Sequence, residues 1–250
     1  MTQEKGQVTI RVKRYIPEGD GQPFFQDFTV PFRSDMVVLD SLVYIKEQLD
    51  GSLTYRWSCR MGICGSCGAT VNGTPHLTCE TLLKDLKGPI VTVEPLYNFP
   101  VIKDLVVDID DFMKKLQNIK PWIIRKTERP LKEGEFIQKP DEMDLYRQFS
   151  SCINCMLCLA ACPVYASDRQ FVGPAPAALA LRYILDTRDQ GKEIRLDAMT
   201  GEGGIWDCTF AGNCTVVCPK NVDPAAALQR LKVISLNELV KSILMPGLTK

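Results

Sequence analysis

The sequence predicts an α+β chain in two parts: an amino-terminal unit built on a small mixed sheet crossed by a helix, then a unit made of helices alone. Three observations carry this. Alternating apolar and polar runs are confined to the amino-terminal part; helical spacing takes over from about residue 140; and a charged, proline-punctuated stretch, RKTERPLKEGEFIQKP, separates the two. A length of 250 residues suits one large or two small domains. The reading is two, residues 1–105 and 140–250, joined by a helix and linker over 106–139.

The elements follow in order. QVTIRVKRYI alternates, and FFQDFTVPF follows the turn signal PEGDGQP, which together predict a hairpin. Leu39, Leu42, Val43 and Leu49 stand near helical spacing, with Gly51 placed as a stop. A loop with three cysteines comes next, then a second hairpin turning at Asn72-Gly73 and the strand IVTVEP. DLVVDIDDFMKKLQNIKPW reads as a helix ending near Pro121. In the carboxy-terminal part ALALRYILDTRDQ and PAAALQRLKVISLNELVKSIL are helical, the latter with Asp223 as N-cap and Pro224 as first helical residue.

Thirty basic and thirty acidic residues balance, so no global field draws the chain to nucleic acid or anionic lipid. No apolar run approaches the roughly 20 residues that span a bilayer; the most apolar tail, VISLNELVKSILMPGL, is broken by Asn237, Glu238 and Lys241. The start, MTQEKGQVTI, carries Glu4 and is unlike an Arg-rich transit peptide. Two glycosylation sequons, at Asn72 and Asn213, read as false positives.

The eleven cysteines carry the chemistry. Cys152-x2-Cys155-x2-Cys158-x3-Cys162-Pro163 has the ligand spacing of a two-cluster bacterial-type ferredoxin, soft thiolates being the donors that hold iron–sulfur clusters. The second run, Cys208-x5-Cys214-x3-Cys218-Pro219, has Ala211 where the middle ligand belongs, and alanine has no donor atom. If each run's last cysteine crosses over, Cys152, Cys155, Cys158 and Cys218 make a [4Fe–4S] site. Cys162, Cys208 and Cys214 are then left for a three-thiolate [3Fe–4S] site. The alternative is a fourth iron held poorly by water or a carboxylate.

Cys59-x4-Cys64-x2-Cys67, followed by Cys79, is the plant-type [2Fe–2S] spacing with a shortened last gap. Gly62, Gly65 and Gly68 interleave the ligands, where a loop around a cluster needs positive φ and close backbone approach. Arg56 and Arg60 either stabilise the reduced cluster or are ordinary surface charges. With this loop the first unit has the order of a β-grasp, plant-type ferredoxin, and the second that of an all-helical bacterial-type ferredoxin. Structural zinc fits the spacing poorly, and a disulfide framework is disfavoured by chain length and the odd cysteine count. The lone His76 rules out a two-histidine Rieske centre and reads as a hairpin residue.

The motifs RWSCRMGICGSCG, SSCINCMLCLAACPVY, FVGPA, RDQG and CTFAGNCTVVCPKNVDPAAALQ resemble the iron–sulfur subunit of succinate dehydrogenase and fumarate reductase along nearly the whole chain. The resemblance implies a separate flavoprotein with FAD that interconverts succinate and fumarate, a membrane anchor with a quinone, and a peripheral place on the cytoplasmic face of the inner membrane. Electrons would pass between FAD and quinone through [2Fe–2S], [4Fe–4S] and [3Fe–4S] in that order or its reverse. Members that reduce ubiquinone place a histidine and a tryptophan where this chain has Thr209 and Ser167. The chain is more similar to menaquinol-oxidising fumarate reductases, which implies a menaquinone pocket lined by Thr209, Phe210, Gln229 and Lys232. Gln229 and Lys232, three apart on a helix, would share a face. The sequence has no GxGxxG after a strand, no phosphate-binding Walker loop and no Ser–His–Asp set, so dicarboxylate catalysis is expected on the partner. A stand-alone ferredoxin-like carrier or redox sensor is the competing reading, and the chain is long for one.

Overall fold

A computed structural model describes residues 6–19 and 21–244. The first five residues, and residues 245–250 of the apolar tail, lie outside the described residues. The chain divides into two compact units: Met1–Ile109 with Ile153–Ala161, and Asp110–Cys152 with Cys162–Lys250.

In the first unit β1 (Gly6–Arg14) pairs antiparallel with β2 (Phe24–Phe32), Ile10 opposite Phe28. After α1 (Val38–Tyr44) come β3 (Gly68–Val71), β4 (Thr74–Leu77) and β5 (Ile90–Glu94), giving one five-stranded sheet in the order β2-β1-β5-β3-β4. Only the β1–β5 pair is parallel. Alternation puts Ile10 and Val12 of β1 and Val91 and Val93 of β5 on the inner face, against Val38, Leu42 and Ile45 of the crossing helix. The α1 backbone starts where the Val37 amide donates to the Asp40 carboxylate at 3.0 Å. It runs on as one π-helical turn, Ile45–Leu49, before Gly51. The second hairpin turns at Asn72 and Gly73, φ 45° and 81°, as the Asn-Gly pair demands.

One inward position of β1 is a cation. Arg14 is 1% exposed, with Nε 2.8 Å from Asp104 Oδ1 and Nη1 2.7 Å from Asp50 Oδ2. Asp104 is fully buried and also accepts the Tyr15 and Thr54 amides. Losing either partner of such a pair strands a buried charge, at a cost of about 3–5 kcal/mol. Asp104, at φ 46°, turns a short hairpin, β6 (Val101–Lys103) with β7 (Val106–Val107). The helix expected over DLVVDIDDFMKKLQNIKPW is therefore shorter: its first residues are turn and strand, and α2 spans Asp110–Asn118.

The second unit is helical. α2, α3 (Pro140–Asp144) and α4 (Arg147–Ser150) precede the cysteine run that contains α5 (Leu157–Ala160), which belongs to the first unit and packs on β4. Then come α6 (Pro163–Ser167), α7 (Pro174–Ile184), α8 (Lys192–Thr200), α9 (Asn213–Val216) and α10 (Pro224–Leu244). α7 is buried from Pro174 to Leu181 and packs on α10, α4 and α8; its alanines allow that close approach. Asp223 caps α10 as expected, its Oδ1 accepting the Ala226 amide at 2.9 Å. Among the described residues no helix is long and apolar enough to cross a membrane.

Candidate metal centres

The first centre is the loop between α1 and β3. Arg60, Gly62 and Gly65 all take positive φ, 58°, 65° and 73°, so the backbone curls and its amides point inward. Cys59 Sγ accepts from Met61, Ile63 and Cys64 N–H at 3.4, 3.3 and 3.3 Å, and Cys79 Sγ from Gly62 N–H at 3.3 Å. Cys67 and Cys79 are buried at the sheet, and Cys64 is exposed on the rim. Burial, reinforced by a hydrogen bond with Cys67, pushes the Cys79 thiol up to about 12, whereas a hydrogen bond with Ser66 brings Cys64 down to about 6. Iron must therefore displace a proton at Cys79 on loading. Four thiols ringed by donor amides suit an electron-rich [2Fe–2S] group.

Two of the three interleaved glycines answer the expected need for positive φ; Gly68 does not. It opens β3, and a Cβ there would stand 3.2 Å from the Leu157 and Leu96 side chains, so close packing is its reason. Gly65 meets both demands. A Cβ on it would lie 2.8 Å from Ile153 O and 2.9 Å from Cys155 Cα, so the first cysteine loop touches the next cysteine run. Asn98 holds that run in the same unit, donating to the Leu159 and Ala160 carbonyls at 3.2 and 2.9 Å. The Arg60 guanidinium lies 4.2 Å from the Trp57 ring centroid, and His76 sits on β4 opposite Ala69.

The two runs of the carboxy-terminal part share a backbone. Asn154 and Met156, two and four residues after Cys152, have φ 55° and 65°; Phe210 and Gly212, two and four after Cys208, have φ 60° and 78°. A one-turn helix follows each, α5 and α9. Ala211 therefore occupies the place of Cys155 in the repeat. Cys155 and Cys158 belong to the first unit, Cys152 and Cys218 to the second.

Cys162, Cys208 and Cys214 line one cavity of the second unit, closed by Pro163, Phe171, Pro174, Ala225 and Leu228 and bordered by Thr209, Phe210 and Ala211. Burial raises the Cys162 and Cys214 thiols, the latter to about 11. Cys208 Sγ accepts from Phe210 N–H, and Cys162 Sγ from Tyr165 N–H, both at 3.4 Å. Three thiols, amide donors and an apolar wall suit a three-iron cluster. Gln229 and Lys232 lie on α10 and do not line this cavity. Gln229 Nε2 is buried with no hydrogen-bond partner among the described residues, and Lys232 Nζ donates to the Cys208 carbonyl at 3.0 Å, 6.0 Å from the Trp206 ring.

None of the eleven cysteines is in a disulfide. Among the described residues no three His, Cys, Asp or Glu groups converge on a single-ion site.

Residues 9–114 match the family model of a 2Fe-2S iron-sulfur cluster binding domain, and residues 148–222 that of a 4Fe-4S dicluster domain. The chain is 54% identical to the fumarate reductase iron-sulfur subunit of Mycobacterium tuberculosis (strain CDC 1551 / Oshkosh), over 96% of this chain and 97% of that protein. It belongs to the iron–sulfur subunits of fumarate reductase and succinate dehydrogenase. Within that family it is 36% identical to the succinate dehydrogenase iron-sulfur subunit of Coxiella burnetii (strain RSA 493 / Nine Mile phase I), covering 92% and 98% of the two chains. A chain of the Mycobacterium smegmatis Sdh1 complex in the apo form superposes with TM-score 0.82 at 29% identity, covering 94% of this chain and 97% of that one. The chain is thus an electron-transfer subunit of an oxidoreductase complex, with a sheet-based [2Fe–2S] domain and a mostly helical [4Fe–4S]-type domain, as its sequence led one to expect.

Sequence reasoning missed Ser66, Tyr165 and Trp206. Trp206 stands two residues before Cys208, and Tyr165 three after Cys162; proximity to a ligand was the only signal. Tyr165 is buried, and its hydroxyl donates to Asp111 Oδ2 at 2.6 Å, tying the Cys162 turn to α2.

Proposed function

We propose that this subunit connects an FAD flavoprotein to menaquinone at a membrane anchor on the cytoplasmic face of the cell membrane, through three clusters. Cys59, Cys64, Cys67 and Cys79 hold [2Fe–2S]; Cys152, Cys155, Cys158 and Cys218 hold [4Fe–4S]; Cys162, Cys208 and Cys214 hold [3Fe–4S]. The observation that carries the reading is the repeated backbone in which Ala211 replaces a ligand while the three remaining thiols share a cavity. When bound, the clusters supply one-electron carriers. The chain's own residues do the rest: inward amides offset thiolate charge, apolar walls exclude water, and Gly65 brings the first loop against the Cys155 turn, which shortens the path between them.

At the other end Thr209 and Phe210 border the cavity, and Phe210 and Trp206 are 60% and 45% exposed, an apolar rim suited to a quinone ring. Lys232 supplies a donor for a quinone oxygen by releasing the Cys208 carbonyl or sharing it, and the buried Gln229 amide donates only where the quinone reaches beneath that rim. The outer half of α10 exposes Val233, Leu236, Val240, Ile243 and Leu244, and a stripe of that kind supports burial against an anchor subunit.

Iron and sulfide analysis of the intact complex, with EPR during stepwise reduction, tests the reading. Three distinct signals, one of them an oxidised [3Fe–4S] signal, are expected. Fewer than three centres, or zinc without iron, overturns it.

A further inference from the structure

The carboxylate of Glu80 lies directly against the first cysteine loop. A Cβ on Gly62 would fall 1.7 Å from Glu80 Oε1, 2.1 Å from its Cδ and 2.7 Å from Oε2, so the carboxylate occupies the space that any other residue at 62 would fill. Gly62 is also the residue whose amide donates to Cys79 Sγ, and Cys79 is the neighbour of Glu80 in the chain. A short stretch therefore combines two opposed electrostatic devices: an N–H dipole aimed at a ligand sulfur, and a full negative charge packed on the peptide that carries it. The Glu80 amide is itself fixed, donating to Leu77 O at 3.1 Å. Of the loop's two cations, Arg56 and Arg60, the second is stacked on Trp57.

We propose that Glu80 sets the reduction potential of the [2Fe–2S] centre, holding it low by placing a fixed negative charge beside the Gly62–Cys79 rim. The inference rests on that centre being bound by Cys59, Cys64, Cys67 and Cys79. Reduction adds one electron to the group, and a nearby carboxylate disfavours the more negative state. The side chain is on the solvent side, so the effect is screened and weakens with salt.

The test is an EPR-monitored redox titration of the [2Fe–2S] signal in the assembled complex, at low and high ionic strength, for wild type and Glu80→Gln, Glu80→Lys and Glu80→Asp. Glu80→Gln is expected to favour reduction about threefold, a rise of about 30 mV at 59 mV per tenfold for one electron. Glu80→Lys should rise further, Glu80→Asp should stay nearest wild type, and high salt should narrow the differences. Midpoints that do not move with charge, or an aspartate that moves as far as glutamine, overturn the proposal. Should one variant fail to assemble its centre, the ordering of the other two against wild type decides. A wild-type complex without a [2Fe–2S] signal would instead refute the ligand assignment, which separates the two failures.

Discussion

Residues 152–158 and 208–214 follow the same path with different endowments. Each turns left-handed at its third and fifth positions and leads into a one-turn helix, yet the middle position carries a thiol in one, Cys155, and a methyl group in the other, Ala211. The backbone can thus be kept while one donor is removed, and on the proposed ligand sets the donor, not the fold, sets how many irons are held. The surroundings differ too. Cys155 is packed against Gly65 of the first loop, whereas Ala211 borders a cavity with an exposed aromatic, Phe210, beside it.

The strongest challenge to this comparison is to make the first run like the second. Cys155→Ala removes a buried donor and should convert [4Fe–4S] to a three-iron centre. Iron analysis should find one iron fewer per chain, EPR a second [3Fe–4S]-type signal, and quinone-linked turnover a fall of more than tenfold. An unchanged [4Fe–4S] spectrum would break the correspondence. The reverse substitution, Ala211→Cys, should let the three-iron site take a fourth iron, erasing the oxidised [3Fe–4S] signal and slowing turnover severalfold as the added thiolate lowers the potential. Persistence of the original signal in fully loaded protein would show that residue 211 is not the vacant ligand position.

Much of this was legible in the chain. Periods of two and of 3.6 located the sheet and the helices, Asn72-Gly73 its hairpin, and cysteine spacing the candidate ligands now proposed, because each is a local signal. What stayed hidden depends on partners far along the sequence. Arg14 shares the inward face of Ile10 and Val12, but its partners Asp50 and Asp104 lie far along the chain, and Asp104 turns a hairpin where the sequence predicts the start of a helix. Residues 153–161 read as part of a helical unit, and neither their packing on β4 nor their contacts with Gly68, through Leu157, and with Asn98 have a sequence signature. The Gly62–Glu80 contact is invisible for the same reason.

The second run's setting yields a smaller effect. Lys232 donates to the carbonyl of Cys208, and the first run offers no matching lysine in the chain three residues beyond a corresponding glutamine. Lys232→Ala should lower quinone-linked turnover severalfold while leaving electron flow to an artificial acceptor at the flavoprotein near wild type. Equal loss in both assays would show that Lys232 serves the Cys208 turn alone.

The subtlest comparison is backbone strain. At the fifth position the first run tolerates a side chain, Met156, at φ 65°, while the second uses Gly212 at φ 78°. A Cβ on Gly212 would meet nothing within 4 Å, so Gly212→Ala isolates the left-handed penalty from any clash, about 1 kcal/mol once alanine's smaller loss of chain freedom is set against it. The [3Fe–4S] signal of that variant should fade at a lower urea concentration, with the [2Fe–2S] signal of the same molecules unmoved as an internal standard. Met156 sustains the same backbone because it is buried, and burying its side chain is worth more than the strain it carries. Met156→Gly should therefore destabilise its own turn instead of relaxing it, and a gain in urea resistance there would show that the two turns are not held by the same balance.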